Sequence, residues 1–249
     1  MSASGGDGFD VRSYAAGLHA GTLIPAHSHD WGQLVFAAQG VMQVTTDDVA
    51  WTIPPTRAIW VPAGVRHAIA ARGEVAMRTL YIDRPRADPL PGQPRVISVA
   101  PLLRELILHV LEVGMLDPTR PAHDRLAGLL VDLLLDARPE DLALPLPRDP
   151  RALRLAEAWR SDPADARDLT EAAKAVGASL RTLQRLFPRE TGLTLEGWRQ
   201  KARLVHAVVR LTAGASVTET ALDCGYQSPA AFSEAFARQF GVTPGRFTR

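Results

Sequence analysis

The chain has 249 residues, 46% of them hydrophobic and 22% charged, with a formal net charge of +1. Such a composition excludes an intrinsically disordered chain, and no run reaches the roughly 18 apolar residues of a membrane-spanning helix. Cys224 is the single cysteine, so no intrachain disulfide can form; the polar, Gly-rich start MSASGGDGFDVRSY lacks the basic and apolar regions of a signal peptide, and a cytosolic protein is predicted. Charge is unevenly placed. Residues 1–150 hold 13 Lys/Arg against 17 Asp/Glu, whereas 151–249 hold 15 against 10. An acidic front and a basic back is the asymmetry of a sensor joined to a nucleic-acid module.

Residues 1–10 read as a disordered tail. From Val11 to about Asp83 the chain reads as short strands rich in β-branched and aromatic residues: Gln33–Ala38, Val41–Thr45, Val49–Ile53, Ala58–Val61 and Val75–Ile82. Gly, Pro and Asp separate them, which predicts a barrel or sandwich over 11–95. A Pro/Arg-rich linker occupies 84–95. Two amphipathic helices follow, about 100–113 and 121–136, with leucines at i, i+3/i+4 spacing. This 96–137 segment is expected to transmit and to form a homodimer. Four prolines in 138–150 predict an extended interdomain linker. Beyond Arg151 the pattern is helical throughout: 151–160, 169–176, 179–189, 194–213, 217–224, 228–239 and a short turn from Pro244.

Two stretches of this tail are alike. Asp168–Phe187 and Ser216–Phe236 each hold a capping residue, a short helix with a central alanine (Ala173, Ala221), a glycine (Gly177, Gly225), a serine (Ser179, Ser228) and a second helix ending on phenylalanine. A helix-turn-helix needs those residue types. A small side chain lets the helices cross, glycine takes positive φ after the first, and serine caps the second, which then projects into the major groove. The two units span 168–190 and 216–240. Arg181, Gln184 and Arg185 share one face of the first recognition helix, and Arg and Gln can read G and A edges bidentately. Thr182 lies beside them. The second helix is poorer: Pro229, Ala230, Ser233 and Glu234, with Arg238 further on, leave thymine-methyl contact or one hydroxyl as reading chemistry. Ser179 and Ser228 open the two helices at the DNA. Lys201, Arg203 and Arg210, on the connecting helix, face phosphates or solvent; Trp159, Trp198 and Cys224 read as core.

The doubled motif and the run Ala221-x-x-x-Gly225-Tyr226-x-Ser228…Phe232-x-x-x-Phe236…Phe240-Gly241-x-Thr243-Pro244 resemble the AraC/XylS family of transcription regulators across 151–249. The resemblance implies that double-stranded promoter DNA is the partner. It places the family's base-contacting positions on Arg181, Gln184 and Arg185, and it implies RNA polymerase as a further partner if the protein is an activator.

The front half resembles the cupins. Gly21-x5-His27-x-His29-x3-Gln33-x6-Gly40 follows the first cupin motif except that glutamine replaces glutamate, and Pro62-x-Gly64-x2-His67 follows the core of the second. His-x-His on a strand puts both rings on one face, and the Pro-Ala-Gly turn brings His67 to them. Three imidazoles suit Ni, Zn, Co, Fe or Cu. Gln33 supplies a neutral fourth ligand or leaves that place to water, which predicts weaker metal binding or an anion on the metal. A small organic effector in the same pocket is the alternative. Trp31, Trp51 and Trp60 are expected to pack the barrel. The fold class is therefore multidomain: a cupin-like β-barrel, a helical segment and an all-α double helix-turn-helix domain. The function expected is transcription regulation, as activator or repressor, gated by a metal or small molecule. Two other readings stay open: a cupin metalloenzyme with an appended DNA-binding domain, and a constitutive DNA-binding protein with a scaffold barrel.

Overall fold

A computed structural model describes residues 8–247. The chain divides into two compact units, one running to Thr46 and from Ile53 to Glu140, the other comprising Asp47–Thr52 and everything from Asp141 on.

The first unit is built on two long antiparallel strands, β3 (Gly32–Thr45) and β6 (His67–Ile82), preceded by β1 (Val11–Leu18) and β2 (Leu23–His27). β5 (Arg57–Val61) follows β4 (Val49–Ile53), and the rest are β7 (Arg95–Ser98), β8 (Met115–Leu116) and β9 (Pro139–Glu140). Neighbours run β8-β1-β6-β3-β5-β7-β9, and β2 pairs with the start of β6. Strand parity sorts the side chains. Leu34, Phe36, Leu80, Ile82, Val11 and Trp60 join one apolar cluster with Leu103, Leu106, Ile107 and Val110 of α2 (Pro101–Val113) and with Ala127, Leu130, Val131 and Leu134 of α3 (Pro121–Asp136). Each fully buried Leu, Ile or Phe there contributes about 1.5–3 kcal/mol. Gln33, Val35, Thr79 and Tyr81 alternate with that set and face the other way.

Several sequence expectations are corrected. Asp10 belongs to the fold, not to a disordered tail over 1–10: its N–H donates to Leu116 O at 3.0 Å and its carboxylate accepts from Arg86. Residues 1–7 of that expected tail lie outside the described residues. The expected breaks at Gln39-Gly40 are register shifts inside one bent strand, β3, and β6 starts eight residues before the expected Val75. β1 and β2 had no clear alternation, because β1 carries Tyr14 and Ala15 exposed. The 84–95 segment is not only linker, since α1 (Arg84–Ala87) is capped by Asp83 and Arg95 opens β7. Nor is 96–137 a separate helical domain: β8 pairs with β1, and both helices share the sheet's core.

The stretch 138–150 is no free extended linker. Its prolines tolerate edge pairing. Pro139 and Glu140 form β9 on β7, and β10 (Ala143–Pro145) pairs with Val49–Trp51 of β4. The Arg57–Glu140 ion pair (3.4 Å) is buried on both sides.

The second unit is helical: α4 (Pro150–Ser161), α5 (Leu169–Ala175), α6 (Leu180–Thr191), α7 (Leu195–Thr212), α8 (Val217–Asp223), α9 (Pro229–Phe240) and α10 (Pro244–Phe247). Its start is fixed by Asp149, whose side chain accepts from Arg151 N–H. Two aromatic groups anchor it. Trp159, Phe187 and Trp198 lie with ring centroids 5.7–6.2 Å apart, and Trp198 Nε1 donates to Pro145 O at 2.6 Å. Phe232, Phe236, Phe240 and Phe247 form the other. Cys224 is fully buried, and burial pushes its thiol up to about 12, so it is an inert core residue.

Candidate functional site

The two helix pairs of the second unit repeat the same local construction. Asp168 and Ser216 each close a capping box, accepting from the backbone of Glu171 and Glu219, whose carboxylates return to the cap N–H. Each first helix then stops in an identical turn. Ala178 N–H reaches back to Ala173 O at 3.0 Å, and Tyr226 N–H to Ala221 O at 2.9 Å. Gly177 and Gly225 sit at φ +72° in these turns, a conformation that strains any L side chain. Ser179 and Ser228 cap the second helices by accepting from Thr182 and Ala231 N–H.

Along α6, Leu183, Leu186 and Phe187 are buried while Arg181, Gln184 and Arg185 are exposed on one face. None of these three has a hydrogen-bond or ion-pair partner among the described residues, so each keeps its full donor set for a ligand. Thr182 is half-buried and bonded to Ser179 Oγ at 2.9 Å, which places both hydroxyls in the cap. On α9, Pro229, Ala230, Glu234 and Arg238 are exposed. Ser233 is half-buried rather than on the open face, and the exposed Ala231 was missed by the sequence reading. Glu234 and Arg238 form an i, i+4 pair at 3.9 Å.

The connecting helix α7 differs from expectation. Its cations are spent on the unit itself. Lys201 bonds Asp141 at 2.7 Å, Arg203 Nε donates to Pro163 O at 2.9 Å, and Arg210 pairs with Asp223 at 2.5 Å. Sequence spacing cannot reveal partners that lie 13 to 60 positions away.

In the first unit the three histidines converge. Their ring centroids are 4.6–5.8 Å apart, and one ligand atom from each lies within 4.8 Å of the others. His27 ends β2 and pairs directly with His67, the first residue of β6. His29 is not on the strand, contrary to the His-x-His expectation. It lies in the following loop, where its carbonyl accepts from Gly64 N–H at 2.8 Å, within the expected Pro62-Ala-Gly turn.

The hydrogen bonds fix which nitrogen of each ring faces inward. His27 Nδ1 donates to Pro25 O (2.8 Å), His29 Nδ1 to Trp31 O (2.6 Å) and His67 Nδ1 to Val65 O (2.9 Å). A carbonyl only accepts, so each Nδ1 carries a proton, and in a neutral ring this leaves the Nε2 lone pair open to a ligand. Gln33 Oε1 stands 3.1 Å from His29 Nε2 and 2.9 Å from His67 Nε2. Its amide nitrogen points away, donating to Thr79 Oγ1 (3.0 Å) and Tyr81 OH (3.1 Å), while Thr79 Oγ1 donates onward to Leu34 O. Burial lowers His67 to about 4, against the smaller opposing effect of its Val65 hydrogen bond. Among the described residues no Asp, Glu or Cys joins the three histidines. Thr79 and Tyr81 escaped the sequence reading, though strand parity from His67 through one unbroken β6 would have put them on the same face. Trp31, Trp51 and Trp60 are buried, and Trp60 Nε1 donates to Pro91 O.

Comparison with known proteins bears on both units. Residues 10–143 match the family described as an AraC-like ligand binding domain, and residues 172–249 match a helix-turn-helix domain. The HTH-type transcriptional regulator NimR of Escherichia coli (strain K12) is 33% identical over 233 residues, spanning 92% of this chain and 85% of that one. The HTH-type transcriptional activator RhaS of Shigella sonnei (strain Ss046) is 28% identical, spanning 88% and 86%. Among solved structures, ToxT of Vibrio cholerae aligns with 96% of this chain and 98% of its own at 10% identity and a TM-score of 0.40. No helix of the described residues is long and apolar enough to cross a membrane. With an AraC-like ligand-binding unit in front and a doubled helix-turn-helix behind, this chain belongs to the AraC family of transcription regulators.

Proposed function

We propose that this regulator is gated by a divalent transition metal held by His27, His29 and His67, with Gln33 Oε1 as a neutral fourth ligand. The supporting observation is the convergence of three imidazoles, each with Nδ1 bonded to a backbone carbonyl, on one spot where Gln33 Oε1 lies 2.9–3.1 Å from the Nε2 atoms of His29 and His67. Three imidazoles and an amide oxygen suit Ni, Zn, Co, Fe or Cu. The three Nδ1 bonds to backbone carbonyls are the outer support that metal-binding histidines need.

DNA is read mainly by α6 in this scheme. Arg181, Gln184 and Arg185 supply base-edge contacts, with Ser179 and Thr182 at the helix start. Ser228, Ala230, Ser233, Glu234 and Arg238 of the second unit chiefly set its position on the duplex. A second copy of the chain pairs through α2 and α3, whose Leu102, Leu129 and Leu135 are 40–58% exposed. The protein works in the cytoplasm as a regulator, not an enzyme, and reaches RNA polymerase if it activates.

Elemental analysis of untagged protein, joined to footprinting on its promoter with and without nickel, zinc or iron, tests the reading. Wild-type protein is expected to carry close to one metal per chain and to change its footprint on chelation. The His27→Ala/His29→Ala variant should carry none and give one footprint throughout. A footprint indifferent to metal would leave the scaffold reading standing; turnover by the loaded protein would favour the enzyme reading.

A further inference from the structure

We infer that Arg203 is a positioning residue for DNA reading: it holds the turn of the second helix-turn-helix against the loop that leads into the first, and so fixes the spacing at which α6 and α9 meet the duplex. This rests on the proposed reading in which both helices engage DNA at once. Two turns that are otherwise alike differ in their surroundings. Gly177 and Gly225 share a φ of +72°. A Cβ added at Gly177 would meet nothing within 4 Å, whereas one at Gly225 would lie 3.1 Å from Arg203 Nη2 and 3.4 Å from Ala164 Cα. The first turn is open; the second is packed against α7 and the 162–168 loop.

Arg203 is the piece that touches both sides. Its Nε donates to Pro163 O at 2.9 Å and its Nη2 to Asp165 O at 3.4 Å, two carbonyls of the loop, while the same guanidinium lies against Gly225. A planar fork on a long stem reaches both carbonyls at once, which a single ammonium does not. The loop is braced well enough to pass that hold on. Asp165 is buried, and its carboxylate accepts from Arg167 N–H at 3.0 Å and from the Arg167 guanidinium at 2.7 Å. Its carbonyl also accepts from Arg199, which donates to Arg167 O at 3.2 Å and lies over the Trp159 ring, 5.2 Å from the centroid. Asp168 follows directly and caps α5, the first helix of the first unit.

Groove geometry gives the contact its use. Two helices that enter major grooves of one duplex must match its repeat, and one added base pair moves the second groove by about 3.4 Å and turns it by about 35°. The 18-residue helix α7 joins the two units, and a helix of that length bends and twists under load. A second tie, set off the axis of α7, resists the rotation that one helix allows. Arg203 supplies that tie between the entry of the first unit and the turn of the second. Without it the two reading helices keep their own caps and cores but lose their fixed separation.

Full-length protein on duplexes of its own promoter tests the inference. Footprinting locates the two stretches protected by one copy, one base pair is inserted between them, and Kd for each duplex is measured by fluorescence anisotropy. Wild type should bind the inserted duplex at least about tenfold more weakly than the native one. Arg203→Gln should lose less than about threefold on insertion, with a wild-type Kd for a shorter duplex that keeps only one stretch. Arg203→Lys keeps the charge and the stem but not the fork, so it should be relaxed as well; it carries the test if the first variant does not fold. A merely structural residue would weaken every duplex alike and leave the ratio of inserted to native unchanged. Wild-type indifference to the insertion, a wild-type ratio in either folded variant, or loss of fold in both overturns this inference alone. A wild-type protein with no sequence-specific footprint overturns it together with the DNA-reading scheme.

Discussion

Gln33 Oε1 lies 2.9 Å from His67 Nε2, joining the start of β3 to the start of β6 through two groups that are both buried. The contact exists because Thr79 and Tyr81 hold the amide nitrogen on the far side. In the proposed metal site an amide here would give the ion an oxygen without a charge. Gln33→Glu should tighten nickel or zinc by about tenfold or more, since a carboxylate adds attraction in a partly buried site. Gln33→Leu should weaken binding and also leave Thr79 and Tyr81 short of a donor. Competition against a chromophoric chelator measures both. Equal affinity in wild type and Gln33→Glu would remove Gln33 from the ligand set.

Arg185 is exposed on the same face of α6 as Arg181 and Gln184. Arg185→Ala should weaken specific operator binding by ~1–3 kcal/mol and relax discrimination at one base position. Binding titrations against a set of single-base operator variants read out both effects. An equal loss on all variants, with a salt slope lowered by about one, would make Arg185 a phosphate contact instead.

On α9 the exposed Ala230 and Ala231 carry no hydrogen-bonding side chain, and Glu234 faces Arg238. Glu234→Ala should therefore change affinity for all operator variants by a similar factor. It should move non-specific DNA in the same direction, because it removes a negative charge near phosphates. Electrophoretic mobility shifts on specific and random duplexes compare the two. A change confined to one base position would make the second helix a reader in its own right.

The tail was legible in the sequence because its signals are local. Caps at Asp168, Ser179, Ser216 and Ser228, and glycines at 177 and 225, act within four residues of where they stand, so helix boundaries fall within two residues of those expected. The histidines were legible from spacing, but their outer contacts were not. Thr79 and Tyr81 reach the site through β6–β3 pairing, which brings them to Gln33 from 46 and 48 positions away. The 138–150 segment misled for a related reason. Proline argues against helix but not against an edge strand, and only the partners Ile97 and Val49 decide between strand and linker. The cations of α7 misled likewise, since Asp141 and Asp223 neutralise two of them from outside the helix.

The capping boxes carry a prediction about stability. Asp168 and Ser216 each satisfy an N3 N–H and receive a carboxylate in return from Glu171 and Glu219. Replacing Ser216 with alanine strands one orphan donor, and replacing Asp168 strands two (Thr170 and Glu171 N–H), each at the start of a helix only seven residues long, too short to hold without its cap and its packing. Each change should cost about 1 kcal/mol. In a domain of this size that is a fall of roughly 4–8 °C in melting temperature. Ser216→Asp should be nearly neutral, because aspartate caps as well as serine and its charge suits a helix N-terminus, though Glu219 beside it offsets part of that gain. Thermal denaturation followed by circular dichroism at 222 nm, the helical signal, distinguishes these outcomes. If Ser216→Ala melted with wild type while Asp168→Ala did not, the second unit would owe its start to Ala221 and Phe232 packing rather than to the cap.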